Sequence, residues 1–349
     1  MEKSVLSSIN SISERYEVLV KKYGQMRDRD AANHLKCSEL ELILAVKNAE
    51  RLELTPKDCV ELFGKLGKVM SLTRNEACVL EHKGTFESIE VIQDQMATVI
   101  GPIETRAFFH GWKHFVRLTF EKQGKTVRSV QVYDNFGDAV TKVFLENDDH
   151  NDVFDNLPVL NTPLHDIPKV ETSKSTSVPD NFDRNDFVKA WKNINDPHDF
   201  FGMLREFEIG RYAAMEQAEG DCTFPFPTQK IPELLEELVQ ANMPVMIFAG
   251  NRGNIQIHQD HIHRIVPLEQ PNGRFWINIM DPEFNMHLRM DLLGNAWVVY
   301  KPSEDGPVWS IECYDKKGDL AVQFFGLRKP GIPQPEEWKA LINQFTVLP

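Results

Sequence analysis

His198 stands two residues after Asp196, in the segment Asp196-Pro-His-Asp-Phe-Phe-Gly-Met-Leu-Arg205. Asp followed by Pro opens helices, so the imidazole is expected at a helix N-terminus. The positive end of the helix dipole disfavours imidazolium there and keeps the ring neutral. A neutral imidazole is what a metal requires of His. The same position also suits a His that only hydrogen-bonds within a capping turn. Arg211 opens the next helical stretch, Arg211-Tyr-Ala-Ala-Met-Glu-Gln-Ala218. In one continuous helix it would stand about 220° around from His198. A break at Gly210 lets both face one cleft; otherwise Arg211 is an ordinary exposed cation.

Other residues invite chemistry and carry less of it. His258, His261 and His263 share one strand-like segment. Alternation puts His261 and His263 on one face and His258 on the other, and no Cys or spaced carboxylate completes a tetrahedral set. A solvated strand face is the expectation. His110 and His114 flank Trp112 without the Glu of a metalloprotease helix, and read as a His/aromatic patch. Gly250-Asn-Arg-Gly253 lacks the Lys-Ser/Thr of a phosphate loop and precedes a strand, so it reads as a tight turn.

The elements that position these residues come in two rounds. Ser129-Val-Gln-Val-Tyr133-Asp-Asn-Phe-Gly137-Asp returns as Ser310-Ile-Glu-Cys-Tyr314-Asp-Lys-Lys-Gly318-Asp, an alternating strand followed by a Gly-containing turn. Gly84-Thr-Phe-Glu-Ser-Ile89 is echoed by Gly253-Asn-Ile255, and Arg106 by Arg289, with an insertion expected near 269–284. Ser38-Glu-Leu-Glu41 and Thr55-Pro-Lys-Asp58 are helix starts, and strands dominate from about Val69 to Leu145. Helices return from Asp183, strands from Pro244 to Phe325, and a last helix is expected near Glu336–Phe345. The expectation is an α+β fold by internal duplication, each half with N-terminal helices and a large antiparallel sheet. The halves are read as 1–165 and 183–349, joined by a polar Pro/Ser/Thr-rich linker at 166–182.

The chain has 349 residues, enough for two ordinary domains. Its net charge of −13 lacks the basic footprint of a nucleic-acid binder, so a DNA-binding regulator is a poor reading. An anionic ligand would need a few local cations set against that field. The first residues hold no apolar run of signal-peptide length, and nothing later reads as a membrane span. Five spread cysteines without CxxC argue against a disulfide framework and for a reducing cytoplasm.

Seven segments resemble, in order, the bacterial cytoplasmic hemin-utilisation proteins HemS, ChuS, ShuS, HmuS and PhuS. They are Leu72–Glu76, Glu104–Trp112, Asp196–Arg205, Gly250–His258, Phe284–Arg289, Trp297–Gly306 and Gly326–Arg328. The resemblance implies heme b (hemin) bound in a cleft of the second half, under the sheet of the first. It makes His198 the iron ligand and Arg106 the catalytic group at the opposite face. Phe108 and Phe325 line the pocket, and Arg211, Lys301 and Arg328 surround the polar edge. It implies reductive and oxidative opening of hemin to release iron, or, alternatively, a carrier that delivers hemin to a separate heme oxygenase. Implied partners are hemin, an oxygenase or reductase and an inner-membrane hemin transporter upstream, with no nucleic acid and no membrane insertion. The chemistry is coherent: a flat apolar disc with two carboxylates needs an axial imidazole, an apolar slot and cations. Two departures stand out. Phe325 replaces a frequent Tyr, which removes a hydroxyl. Leu80 replaces the His of the first half, with His82 two residues on, which puts a second heme site there in doubt.

Overall fold

The computed structural model describes residues 11–162, 164, 167–168, 176–328 and 331–348. Residues 166 and 169–175 of the expected linker lie outside the described residues. Two compact units emerge: unit 1 is 1–74, 81–170 and 251–255, and unit 2 is 75–80, 171–250 and 256–349. Each takes a short segment from the other half of the sequence.

Local chemistry starts the helices. Ser38 Oγ accepts from the Glu41 amide while the Glu41 carboxylate accepts from the Ser38 amide. This capping box opens the helix Glu39–Val46. Thr55 and Asp58 do the same ahead of Pro56, opening Pro56–Phe63. Asp183 caps Arg184–Lys192, as expected. The sequence reading missed Ile231–Gln240, which begins without a side-chain cap. Its periodicity is nonetheless regular: Ile231, Leu234, Leu235 and Leu238 enter the core of unit 2 beside Val245, Ile247 and Val322.

The duplication is plain in strand order. In unit 1 the antiparallel order is Ala49–Leu52, His114–Lys122, Lys125–Tyr133, Ala139–Leu145, Val69–Arg74. In unit 2 it is Thr223–Pro225, Leu293–Lys301, Val308–Asp315, Leu320–Gly326, Val245–Gly250. Each unit adds a three-stranded antiparallel set: Ile89–Ile92, Met96–Val99 and Glu104–Phe108 in the first, Ile265–Glu269, Phe275–Met280 and Phe284–Arg289 in the second. The α+β fold with two large antiparallel sheets is as expected.

The repeated phrase builds the same turn twice. Asp134 Oδ1 accepts from the amides of Phe136 and Asp138, and Asp315 Oδ1 accepts from those of Lys317 and Asp319. Gly137 and Gly318 follow with φ of 73° and 85°, the left-handed region that favours glycine. Two finer echoes are corrected. The strand Cys78–Gly84 follows an Asn75 turn as Asn254–Asp260 follows an Asn251 turn, so Gly253 corresponds to Ala77 and not to Gly84. Arg289 leads into the turn Met290–Leu292 as Phe108 leads into Phe109–Gly111, so its counterpart is Phe108 and not Arg106. The strands around 265–289 are longer, and short phrases alone do not carry register.

Candidate functional site

Asp196 caps the short 3₁₀ turn Pro197–Asp199, its Oδ1 accepting from the His198 amide at 2.7 Å. The same oxygen lies 2.5 Å from His198 Nδ1. That amide, above all, holds the Asp196 carboxyl below its usual range, so the group is an ionised acceptor. Nδ1 is then the donor, and the tautomer that this hydrogen bond selects has its lone pair on Nε2. The side chain is 95% exposed, so Nε2 faces outward. A carboxylate behind one ring nitrogen is how proteins orient the other toward a metal. The sequence places His198 two residues after Asp196 and expects the helix dipole to keep the ring neutral; the structure adds that the Asp196 carboxylate itself orients the ring.

The helix Phe200–Glu206 follows at once. Phe200 is buried, but Phe201 is 55% exposed, so a large apolar ring flanks the exposed imidazole turn. The helix ends at Phe207, and Glu208 turns back with φ 50°. Gly210 then caps Arg211–Gln217, its amide donating to Ser177 O at 2.8 Å. The expected break at Gly210 exists, and it returns Arg211 to the Phe200 side. The guanidinium lies 5.3 Å from the Phe200 ring and 5.0 Å from the Phe201 ring.

Lys301 comes to the same place from the strand Leu293–Lys301, its Nζ 4.7 Å from the Phe200 ring. The structure thus brings Arg211 and Lys301 together and shows why they tolerate each other. Glu312, fully buried, lies between them. Arg211 donates through Nη2 at 2.9 and 2.8 Å and through Nε at 3.1 Å, and Lys301 donates at 2.6 Å. Tyr314 Oη donates to the same carboxylate at 2.8 Å. Burial alone would raise the Glu312 carboxyl, but Arg211 and then Lys301 hold it well below the usual carboxylate range. Arg211 is raised by Glu312 against the cost of burial, whereas for Lys301 burial wins and the ammonium is lowered. Glu312 and Tyr314 were missed as site residues. Their signal was in plain view, inside the repeated phrase, where the first copy has Gln131.

Ser310 shares the Glu312 face of its strand, two residues away. Its buried Oγ has no hydrogen-bond partner among the described residues. Phe325 lies directly across from it, half-buried, with its ring 5.0 Å from that of Phe248. Arg328 reaches Asp305 at 3.6 Å, and its charge helps to lower the Asp196 carboxyl, which puts it within electrostatic reach of the His198 turn.

Arg106 and Phe108 stand in unit 1, the other five candidates in unit 2. Arg106 Nη2 donates to Glu104 Oε1 at 2.9 Å, and Nη1 to the carbonyls of Thr105 and Val99 at 3.1 and 3.3 Å. Phe108 is half-buried, its ring 6.3 Å from that of His110.

The remaining histidines need correction. His258 is buried and stacked on Phe284 at 3.7 Å, not on a solvated face, and burial pushes its imidazole down to about 4. The pattern missed this because the strand Asn254–Asp260 is covered on the His258 side by a neighbouring aromatic. His261 and His263 lie past the strand end, rings 6.4 Å apart. Trp112, which His110 and His114 flank, is buried, its Nε1 donating to Gly253 O at 2.8 Å. Asn251 and Gly253 do form a tight turn, closed by the Asn251 side chain. Leu80, where the family has His, is a core residue of unit 2. Two surface recesses, of about 240 and 400 Å³, include none of the candidate residues. All five cysteines are free thiols, and no helix among the described residues is long and apolar enough to cross a membrane.

A family model described as the haemin-degrading HemS.ChuX domain matches residues 36–158 and 208–345, one stretch in each half. The chain is 33% identical to PhuS, a heme-binding protein from Pseudomonas aeruginosa whose holo crystal structure it matches with a TM-score of 0.84, over 97% of this chain and 99% of that one. It is 26% identical over 318 residues to the hemin transport protein HemS of Yersinia enterocolitica, covering 89% of this chain and 90% of the relative. It shares the fold of the Escherichia coli O157:H7 heme degrading enzyme ChuS, with a TM-score of 0.85, 24% identity and coverage of 96% and 98%.

Proposed function

The chain belongs to the haemin-degrading HemS.ChuX domain family, and from that premise we propose that it binds hemin through His198 and opens the macrocycle to release iron. Heme handling is common to its relatives PhuS and HemS, described as heme-binding and as hemin transport. The observation that carries the reading is the Asp196–His198 pair, an outward imidazole with a carboxylate 2.5 Å behind it.

The residues fit the ligand's chemistry. Bound hemin supplies the redox-active iron and the ring to be opened. His198 offers Nε2 to the iron, and Asp196 fixes the ring's direction. Phe201 offers apolar area to a flat macrocycle. Arg211 and Lys301 offer cationic donors to a propionate, each such contact contributing about 1.5–3 kcal/mol. The buried Ser310 hydroxyl, without a partner among the described residues, is a further polar group on that face. Arg106 is the proposed hydrogen-bond donor where negative charge develops during turnover. A cytoplasmic location and an external reductant belong to the same reading.

The alternative, a carrier that passes hemin to a separate oxygenase, has one observation in its favour: the Arg106 fork is already committed to Glu104 and two carbonyls. One experiment separates them. Purified protein is mixed with hemin, a reductant and catalase, and the Soret band is followed. Degradation predicts loss of the band with a tetrapyrrole product and free iron, abolished in Arg106→Ala. A persistent band, with faster transfer to an oxygenase than to apomyoglobin, establishes the carrier.

A further inference from the structure

The strands Lys125–Tyr133 and Val308–Asp315 carry the repeated phrase, so their positions compare one for one. Gln131 stands where the second copy has Glu312. Across the ladder, Gln131 faces Lys142 and Glu312 faces Gln323. The buried charge of this cross-strand pair is therefore a cation in unit 1 and an anion in unit 2. Among the described residues Lys142 meets one opposite charge at hydrogen-bond distance, Glu39 from the helix Glu39–Val46. Glu312 meets two, Arg211 from a helix and Lys301 from the neighbouring strand. The polarity is inverted: around Glu312 two cations and one carboxylate leave +1, while around Glu39 the charges of Arg74 and Arg29 add to that of Lys142. At the position matching Lys301, opposite Val127 in the equivalent hairpin, unit 1 has Phe120.

We propose that Glu312 is a positioning residue that holds Arg211 and Lys301 side by side at a net charge of +1, and so makes this edge of unit 2 a receptor for one carboxylate of the ligand. The inference rests on the reading of heme as that ligand. Both cations pack on one ring, Phe200, where like charges repel in a medium with little water. Arg211 works against protonation of Lys301, and so does burial; Glu312 is the group that favours it. Tyr314 completes the set facing the ammonium cluster by bonding both Glu312 and Arg211. Glu312 takes the Nε–Nη2 edge of the Arg211 fork, so the guanidinium plane is fixed before any ligand arrives. A +1 cluster neutralises one propionate. The second carboxylate of hemin has to be met elsewhere.

The test compares hemin with its dimethyl ester, in which both carboxylates are capped. The wild-type protein is expected to prefer hemin by about tenfold or more. Glu312→Gln adds no negative charge to the cluster but frees the Arg211 fork that the carboxylate fixes, so the preference should fall below about threefold at pH 8 and at pH 6 alike. Lys301→Met leaves Arg211 and Glu312 as a neutral pair, should lose the preference at both pH values, and serves if Glu312→Gln does not fold. The His198-dependent spectrum should be unchanged in both variants. A preference like that of the wild type at both pH values in either variant overturns the role of Glu312 while leaving heme binding intact. A wild-type protein that takes up neither compound overturns the heme reading and this inference together.

Discussion

Asp196 decides what His198 can offer. Removing the imidazole by His198→Ala should abolish the axial-ligand bands of the hemin complex, and absorption titration checks it. Asp196→Asn keeps the size of the capping group but weakens its hold on Nδ1, so hemin affinity should fall by about 10-fold with His ligation retained. Arg211→Ala and Lys301→Ala should weaken hemin binding without moving those bands. Arg211→Ala also strips a buried carboxylate of its fork partner, which costs about 3–5 kcal/mol of stability and should appear in urea denaturation. His258 sets a different dependence. Its imidazole is pushed from 6.5 to about 4 by burial against Phe284, so the fold prefers the neutral ring. Its contribution is complete above pH 6.5 and drains away as pH falls toward 4, by up to roughly 3 kcal/mol. Stability measured across that window should lose much of its slope in His258→Phe.

At the scale of elements, the repeated strand and turn is the most readable unit of the chain. Its turn needs a residue at positive φ twice, and glycine supplies it. Gly137→Ala and Gly318→Ala should each lower stability by about 1–2 kcal/mol for the backbone alone. The side chain adds to it: a Cβ at 137 would stand 2.6 Å from Ser38 Cβ, the cap of the helix Glu39–Val46, and one at 318 would stand 2.7 Å from Thr176 Cγ2. Chemical denaturation of the two variants beside the wild type checks both losses. The break between Phe200–Glu206 and Arg211–Gln217 was readable from Gly210, although Glu208 supplies the left-handed residue. The helix Ile231–Gln240 was not read because no Ser, Thr, Asp or Asn announces its start.

At the scale of the whole molecule, each unit holds a deeply buried carboxylate against a cation, Glu39 in the first and Glu312 in the second. Glu39 and Glu312 would both be raised by burial, and both are held low by cations, Lys142 for the first and Arg211 for the second. Groups lowered in the fold stabilise it above their unfolded value near 4.5 and lose that contribution as pH falls toward the folded one. Acid unfolding should therefore steepen below about pH 4.5, where the carboxylates add to the last of the His258 slope. Glu39→Gln and Glu312→Gln should flatten that limb while lowering stability at neutral pH, as followed by circular dichroism.

The α+β class, the capped helices and the place of His198 two residues after Asp196 were legible in the sequence because they depend on neighbours within a few residues, and the duplication because both copies keep one phrase. The sequence also supplied Arg211 and Lys301 as cations of interest. Tertiary structure alone decided which partner each would have. Glu312 meets Arg211 across 101 positions of sequence, and His258 meets Phe284 only when two strands come together. A residue's periodicity states which way it points; the charge or ring waiting there is set by segments far away in the chain, and with it whether a group is a solvated cation, a buried counter-ion or a neutral stacked imidazole.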